Sequence, residues 1–138
     1  LIGTRSLGEE AGVEPRARIV SGAVAGVPPR VMGLGPVPAS GKALERAGLA
    51  LSDMDVIEIN EAFATQVLGC LKQMQLFADD GRLNPNGGAI ALGHPLGASG
   101  ARLALTSLRQ LERTGGRYAL VSMCIGVGQG IAAVIERI

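Results

Sequence analysis

The segment that most constrains the fold is residues 84–100 (NPNGGAIALGHPLGASG), which holds the chain's only histidine. The short apolar run 89–92 predicts a brief buried strand, and Pro95 has the fixed φ and absent N–H that suit the first turn of a helix. Such a corner between a parallel strand and a helix lies where open α/β sheets bind ligands. The segment therefore predicts an α/β fold with His94 at its ligand-binding edge, although a plain helix-capping role is the alternative.

The helix that follows His94 shapes what its ring can do. The positive end of a helix disfavours imidazolium, so a neutral ring is available as a base or a hydrogen-bond donor. The nearby glycines match neither the dinucleotide-binding G-x-G-x-x-G pattern nor a phosphate loop, which needs a Lys-Ser/Thr pair. The small residues instead predict that this helix packs closely against another element.

Composition excludes several classes of protein. The 138 residues suit one domain, and 47% hydrophobic against 18% charged residues excludes disorder. A net charge of +1 with 2% aromatic residues argues against a nucleic-acid surface. No apolar run approaches about 18 residues, so no membrane span is expected. Cys70 and Cys124 show no CxxC or metal-ligand spacing, so we expect no metal site and a reducing, cytoplasmic compartment.

The order of elements predicts a five-stranded mixed sheet with βαβαβαββ connectivity and helices on both faces. The predicted strands are residues 18–27, 56–59, 89–92, 118–123 and 131–138, of which the last two form a hairpin. The main helices are predicted at residues 38–47, after residue 62, and at 95–113. An apolar stripe along the middle helix, formed by Phe63, Val67, Cys70, Met74 and Phe77, places Cys70 in the core.

Two other polar residues follow predicted strands, as His94 does. Asn60 comes directly after the strand 56–59 and before a helix, so two parallel strands would bring Asn60 and His94 to one edge. Asn60 could equally be a helix N-cap, with Glu61 favouring the positive helix end. Cys124 follows the strand 118–123 as a third reactive group, although a buried structural cysteine is the commoner outcome.

Three segments resemble, in order and separation, the NEAF, GHP and CxGxG motifs of thiolases: residues 60–64 (NEAFA), 86–95 (NGGAIALGHP) and 124–128 (CIGVG). The resemblance extends from about Arg18 to the C-terminus. It implies acyl transfer between coenzyme A and acyl-CoA by Claisen or retro-Claisen chemistry.

The resemblance also implies a role for each motif. His94 would help to deprotonate a nucleophilic cysteine and donate to the thioester oxygen, and Asn60 would hold a water that completes that oxyanion site. Cys124 would be the acid/base at the substrate α-carbon, and the Gly126 N–H would help to form a second oxyanion site. Glu61 is expected to be structural.

Thiolases contain two similar halves, and residues 1–138 resemble the C-terminal one. The acylated cysteine and most of the coenzyme A surface are therefore expected upstream, and the isolated chain is expected to be inactive. The implied partners are acyl-CoA, coenzyme A and the N-terminal half, with coenzyme A thioester as substrate rather than cofactor. We also expect a homo-oligomer, because the helix 95–113 would otherwise expose small apolar residues, namely Gly97, Gly100, Ala101, Ala104 and Leu108.

The turn at residues 124–128 and the preceding residues 117–120 (RYAL) are most similar to 3-oxoadipyl-CoA thiolases of aromatic degradation. Val127 departs from a glycine that is common in that turn. Two alternatives stay open on the sequence: a non-catalytic binding or assembly module of the same fold, and half of a condensing enzyme that acts on carrier-protein thioesters.

Overall fold

A computed structural model describes all residues from Leu1 to Ile138. The elements in chain order are α1 (Arg5–Glu10), β1 (Ala17–Gly26), α2 (Pro36–Ala47), β2 (Val56–Ile59), α3 (Ala64–Met74), α4 (Ala89–Leu92), α5 (Ser99–Thr114), β3 (Tyr118–Ile125) and β4 (Gln129–Arg137). Short 3₁₀ segments at Pro29–Leu34 and Leu51–Asp53 precede α2 and β2. None of the helices combines the length and the apolar character needed to cross a membrane.

The four strands form one mixed sheet in the order β1-β4-β3-β2. β4 runs antiparallel to both of its neighbours, whereas β2 and β3 pair in parallel. Strands β1, β2 and β3 therefore point the same way, and we call the side of the sheet where they end the carboxyl edge. The α/β class, the mixed sheet and the terminal hairpin agree with the sequence-based expectation.

The predicted fifth strand, residues 89–92, is wrong: this run is the one-turn helix α4. Its backbone N–H groups at Leu92 and Gly93 donate to Gly88 O and Ala89 O at 3.0 and 2.7 Å. The Ile90 N–H donates to the Glu61 carboxylate at 3.0 Å. Four apolar residues fit either conformation, and here the hydrogen bonds available at Gly88 and Glu61 decide for the helix. His94 therefore follows a helical turn rather than a strand.

Residues 82–84 cover the outer side of β2 instead. Ile57 N–H donates to Arg82 O at 2.8 Å, and Asn84 N–H donates to Ile57 O at 2.9 Å. The Asn84 side chain then accepts from Ile59 N–H at 2.9 Å and donates to Ile59 O at 3.0 Å. One amide side chain thus pairs both backbone groups of Ile59, as a neighbouring strand would, and protects this sheet edge.

Helices cover both faces of the sheet. On one face α2 and α3 contribute Ala39, Ala43, Leu44, Val67 and Leu71 to a core with strand residues such as Ile57, Ile59, Leu120 and Val134. On the other face α5 packs Leu103 and Leu111 against Val56, Ala119, Val121 and Ile135. The prediction that Cys70 belongs to the core is confirmed, because its side chain is fully buried.

The helices α5 and α3 differ most from the sequence-based expectation, whereas α2 begins only two residues before the predicted start. α5 begins at Ser99 rather than residue 95, and its buried residues Ser99, Leu103, Ser107 and Leu111 repeat every four positions. Ser99 therefore lies on the buried face of the helix. α3 covers Ala64–Met74 only, so Phe63 and Phe77 lie outside it and are 63% and 78% exposed.

A charged residue lies inside the interface between β2 and α5. Glu58 is 1% exposed and shares a strand face with Val56, which contacts the α5 cluster. Burial raises the pKa of Glu58 to about 7, although the positive charge of Arg102 opposes the shift and Glu61 adds to it. Glu58 Oε1 and the Arg102 atoms Nε and Nη2 are buried and lack hydrogen-bond partners.

Replacing Asn84 by glycine should destabilise the chain by about 2 kcal/mol, because a buried Ile59 N–H would lose its partner. Glycine tolerates the positive φ of 41° at this position, so backbone strain does not contribute. Gln75→Gly is the matched control, since Gln75 has φ 57° and an exposed side chain. Urea unfolding measures both variants, and equal stabilities would contradict the strand-like role of Asn84.

Glu58→Gln should stabilise the chain increasingly as pH rises. The folded-state pKa of Glu58, about 7, exceeds the ordinary value of 4.5, so its contribution to stability is complete below pH 4.5 and is lost as pH rises through 7. Glutamine stays neutral, and the difference in unfolding free energy should change by roughly 2 kcal/mol between pH 5 and pH 8. Glu45→Gln, at an exposed position of α2, is the control for the substitution itself, and a flat difference for Glu58→Gln would refute the buried carboxyl.

Candidate active site

Asn60 lies at the carboxyl edge, one residue beyond β2. Its backbone N–H donates to Ser122 O at 2.9 Å, which extends the parallel pairing of β2 with β3 by one step. The side chain is 1% exposed, and neither Oδ1 nor Nδ2 has a hydrogen-bond partner. It does not cap α3, where Phe63 holds the N-cap position without a side-chain bond. A buried amide without partners is costly, so this group is suited to bind a water or ligand that enters the site.

His94 lies at the same edge, between α4 and the N-terminus of α5. α5 leads into the start of β3, so its other end lies over the carboxyl edge. The His94 ring is exposed, and its Nδ1 is 2.6 Å from Ser99 Oγ. The second ring nitrogen, Nε2, has no partner within the chain and is free to meet a substrate or another protein segment.

Cys124 lies one residue before the end of β3, opposite Gly130 of β4. Strand alternation places its side chain on the same face as Leu120, which packs with α2 and α3. Burial raises the pKa of the Cys124 thiol, although a backbone hydrogen bond partly opposes the shift. The free, half-buried thiol therefore stays protonated at neutral pH and has a proton to donate.

The turn after Cys124 contains glycines with different physical roles. A Cβ at Gly128 would come within 2.3 Å of Val27 O, and one at Gly130 within 2.0 Å of Gly35 O. The absence of a side chain at these two glycines therefore lets the turn contact the backbone of Val27 and Gly35. Gly126 is exposed, is not held in a positive φ, and would meet no atom within 4 Å as alanine. The space where a side chain would begin at Gly126 is therefore open.

Val127 takes an unusual conformation in this turn. Its φ is 68° and its side chain is 81% exposed. This left-handed conformation costs a β-branched residue about 1–2 kcal/mol in conformational free energy, whereas glycine adopts it without strain. The sequence departs from the common glycine at a position where the backbone favours glycine, as it also does at Gly128 with φ 88°, and the turn is therefore strained.

Glu61 connects the segment after β2 with the segment that carries His94. Its carboxylate accepts from Asn84 Nδ2 at 3.2 Å and from Ile90 N–H at 3.0 Å. A Cβ on Gly88 would lie within 2.5 Å of both carboxylate oxygens, so glycine is required there for this contact. The predicted structural role of Glu61 thus takes a specific form, which is to anchor α4 to the end of β2.

The structure brings Asn60, His94, Cys124 and Gly126 to one edge of the sheet, from different directions. His94 approaches from the α5 side, Cys124 from the side of α2 and α3, and Asn60 lies at the end of the strand next to Cys124. No hydrogen bond joins these side chains to one another. The sequence did not single out Ser99, Glu58 or Arg102, although one acid within an apolar strand (VIEI) was a signal for Glu58.

Comparison with known proteins assigns a family to this arrangement. The family described as "Thiolase, C-terminal domain" matches residues 13–137. A 3-oxoadipyl-CoA/3-oxo-5,6-dehydrosuberyl-CoA thiolase of Escherichia coli is 62% identical over 138 residues, which are 100% of this chain and 34% of the relative. A beta-ketoadipyl-CoA thiolase of Acinetobacter baylyi is 61% identical over 126 residues, which are 91% of this chain and 31% of the relative.

Solved structures agree with the sequence relatives. Human mitochondrial 3-ketoacyl-CoA thiolase superposes with a TM-score of 0.93 at 49% identity, over 98% of this chain and 34% of that one. An acetyl-CoA acetyltransferase of Bacillus anthracis gives 0.92 at 43% identity, over 98% and 34% of the two chains. The chain spans about a third of the length of the curated relatives it matches. The chain therefore belongs to the thiolase family and corresponds to its C-terminal domain.

Proposed function

We propose that residues 1–138 supply the C-terminal half of a thiolase active site, in which an acyl group moves between coenzyme A and an acyl-CoA. The observation that supports the proposal is that Asn60 and Cys124 lie near the ends of two paired parallel strands, with His94 just before α5, in a chain of the thiolase family. The 3-oxoadipyl-CoA class is the favoured substrate, because relatives of that name are about 60% identical.

In this proposal His94 acts through Nε2, the ring nitrogen that no group of the chain occupies. It takes the proton of a nucleophilic thiol and donates to a thioester oxygen where negative charge develops. A water held by the unpaired Asn60 amide would complete that oxyanion site. This use explains why a fully buried amide lacks any partner within the chain.

Cys124 serves as the acid and base at the substrate α-carbon. Its raised pKa keeps the thiol protonated, so it can protonate a carbanion formed by carbon–carbon cleavage. In the reverse direction the same sulfur removes an α-proton. The Gly126 N–H would bind a second oxyanion, and the open space before this glycine is consistent with close approach of a thioester.

The nucleophile is proposed to come from the N-terminal half of the enzyme. Cys70 is unsuitable because it is fully buried and donates to Gly33 O at 3.2 Å. Cys124 is occupied by the acid/base role. The same half would supply most of the coenzyme A surface and cover the exposed side of α5, where Gly100, Ala101 and Leu105 face outward. The isolated chain should then be inactive and should associate with itself. The complete enzyme is proposed to be a homo-oligomer in the cytoplasm.

A chimaera tests the role of His94. The chain replaces the matching third of the 62% identical Escherichia coli thiolase, and the chimaera should catalyse thiolysis of 3-oxoadipyl-CoA. His94→Ala should lower kcat/KM by roughly 10³-fold, because base and oxyanion donor are lost together. Leu96→Ala, which changes another exposed residue of the same loop, is the control for folding. Thiolysis at the parent rate by the His94 variant would refute the assignment, and an inactive parent chimaera would refute the proposed function.

A second variant of the chimaera separates the two half-reactions. Cys124→Ser should leave acylation of the enzyme by an acyl-CoA donor intact while slowing α-proton exchange of acetyl-CoA by roughly 10²-fold or more. Deuterium incorporation followed by mass spectrometry measures the exchange. Cys70→Ala removes the other sulfur and should retain exchange. Exchange at the parent rate in Cys124→Ser would contradict the acid/base role.

A further inference from the structure

Ser99 makes an unusual contact with the proposed catalytic histidine. It is the first residue of α5 and is 2% exposed, so water does not compete for its hydroxyl. Its Oγ lies 2.6 Å from His94 Nδ1 and 3.2 Å from Pro95 O. One buried hydroxyl thus bridges the imidazole ring and the backbone of the loop that carries it.

The chemistry of the three groups favours one direction for these bonds. A serine hydroxyl has one proton and two acceptor lone pairs, and a carbonyl oxygen can only accept. If the hydroxyl donates to Pro95 O, then Oγ accepts from Nδ1–H and both contacts are hydrogen bonds. If the hydroxyl donates to Nδ1, then Oγ and Pro95 O face each other as two acceptors and one bond is lost. The first arrangement therefore makes one hydrogen bond more than the second.

We propose that Ser99 is a positioning residue that holds neutral His94 in the Nδ1–H tautomer and so leaves Nε2 as the unprotonated nitrogen facing the carboxyl edge. The role of Nε2 as a base rests on the proposed function, whereas the tautomer of the ring can be measured without any enzymatic activity. A free neutral histidine side chain prefers the opposite tautomer, Nε2–H. The Ser99 contact thus converts the exposed nitrogen from a donor into a base.

Proton transfer through His94 keeps this contact in place. When a thiol meets Nε2, its S–H bond breaks, an Nε2–H bond forms, and the products are a thiolate and an imidazolium. The imidazolium still donates Nδ1–H to Ser99 Oγ, and the serine hydroxyl keeps its proton and still donates it to Pro95 O. The new Nε2–H is then the donor that a thioester oxygen requires. Ser99 neither gains nor loses a proton.

The backbone on both sides of His94 supports the same geometry. Gly93 and Gly97 have φ values of 91° and 83°, which only glycine adopts without strain. The N–H groups of Ala98 and Ser99 both donate to Pro95 O, at 3.1 and 3.2 Å. The loop is therefore closed onto the start of α5, and the ring and the hydroxyl are held five residues apart at bonding distance.

The test uses ¹⁵N-histidine labelling of the 138-residue chain, which is purified with a tag that contains no histidine so that no other imidazole is labelled. His94 is the only histidine, so the two ring nitrogens give the only labelled side-chain signals. At a pH where the ring is neutral, the chemical shifts should show a protonated Nδ1 and an unprotonated Nε2 in the parent chain. Ser99→Ala should invert the population ratio in favour of Nε2–H, and Ser99→Thr, which keeps the hydroxyl, should restore the parent pattern.

Ser107→Ala is the matched control. Ser107 lies on the same face of α5, is fully buried, and donates to Leu103 O at 2.7 Å in the same way, but it contacts no histidine. Its removal should leave the tautomer unchanged. A parent chain in the Nε2–H tautomer would overturn the inference even if Ser99→Ala failed to fold, and so would an unchanged tautomer in folded Ser99→Ala. Neither result depends on the chimaera, so failure of the proposed function stays distinguishable.

Discussion

The parallel pairing of β2 with β3 is the interaction on which the candidate site depends. It begins with Val56 opposite Ala119 and continues past the strand to the bond between Asn60 N–H and Ser122 O. Because the two strands run the same way, the residues that follow them emerge at one edge of the sheet. Reversal of either strand would separate Asn60 from Cys124 by the length of the sheet. The direction of the strands therefore determines which residues lie together at the site.

Several close backbone contacts hold the loops at that edge. Gly35 and Gly130 cross so tightly that a Cβ on either would overlap the other backbone, and Gly128 lies against Val27 in the same way. Glu61 ties α4 to the end of β2, and Asn84 completes the hydrogen bonding of Ile59. These contacts join segments that are far apart in sequence. They give the His94 and Cys124 loops a defined position without direct bonds between the reactive groups.

Several buried polar groups lie near the site, whereas buried Glu136 pairs with Arg18 and Arg117 at the opposite edge of the sheet. Glu58, Asn60, Ser99 and Arg102 all contain buried polar atoms, and Glu58, Asn60 and Arg102 leave some of theirs without partners. Such groups reduce the stability of an isolated domain, so their presence together marks this end of the sheet as the part where function limits packing. The apolar faces of α2, α3 and α5 and the centre of the sheet supply the stability that this arrangement requires.

The sequence by itself determined the α/β class, the helices on both faces, the terminal hairpin, the core position of Cys70 and the family, because these follow from long apolar patterns and from three spaced motifs. It could not determine the state of residues 89–92, since four apolar residues suit a strand or a helical turn and the decision belongs to Glu61, 29 residues away from Ile90. Nor could it place Ser99 on the buried face of α5, because the register of a helix follows from where it begins. Tertiary structure alone decided that Asn84 replaces the fifth strand, that Val127 is strained, and that the hydroxyl of Ser99 reaches His94, since each depends on backbone geometry that no local pattern encodes.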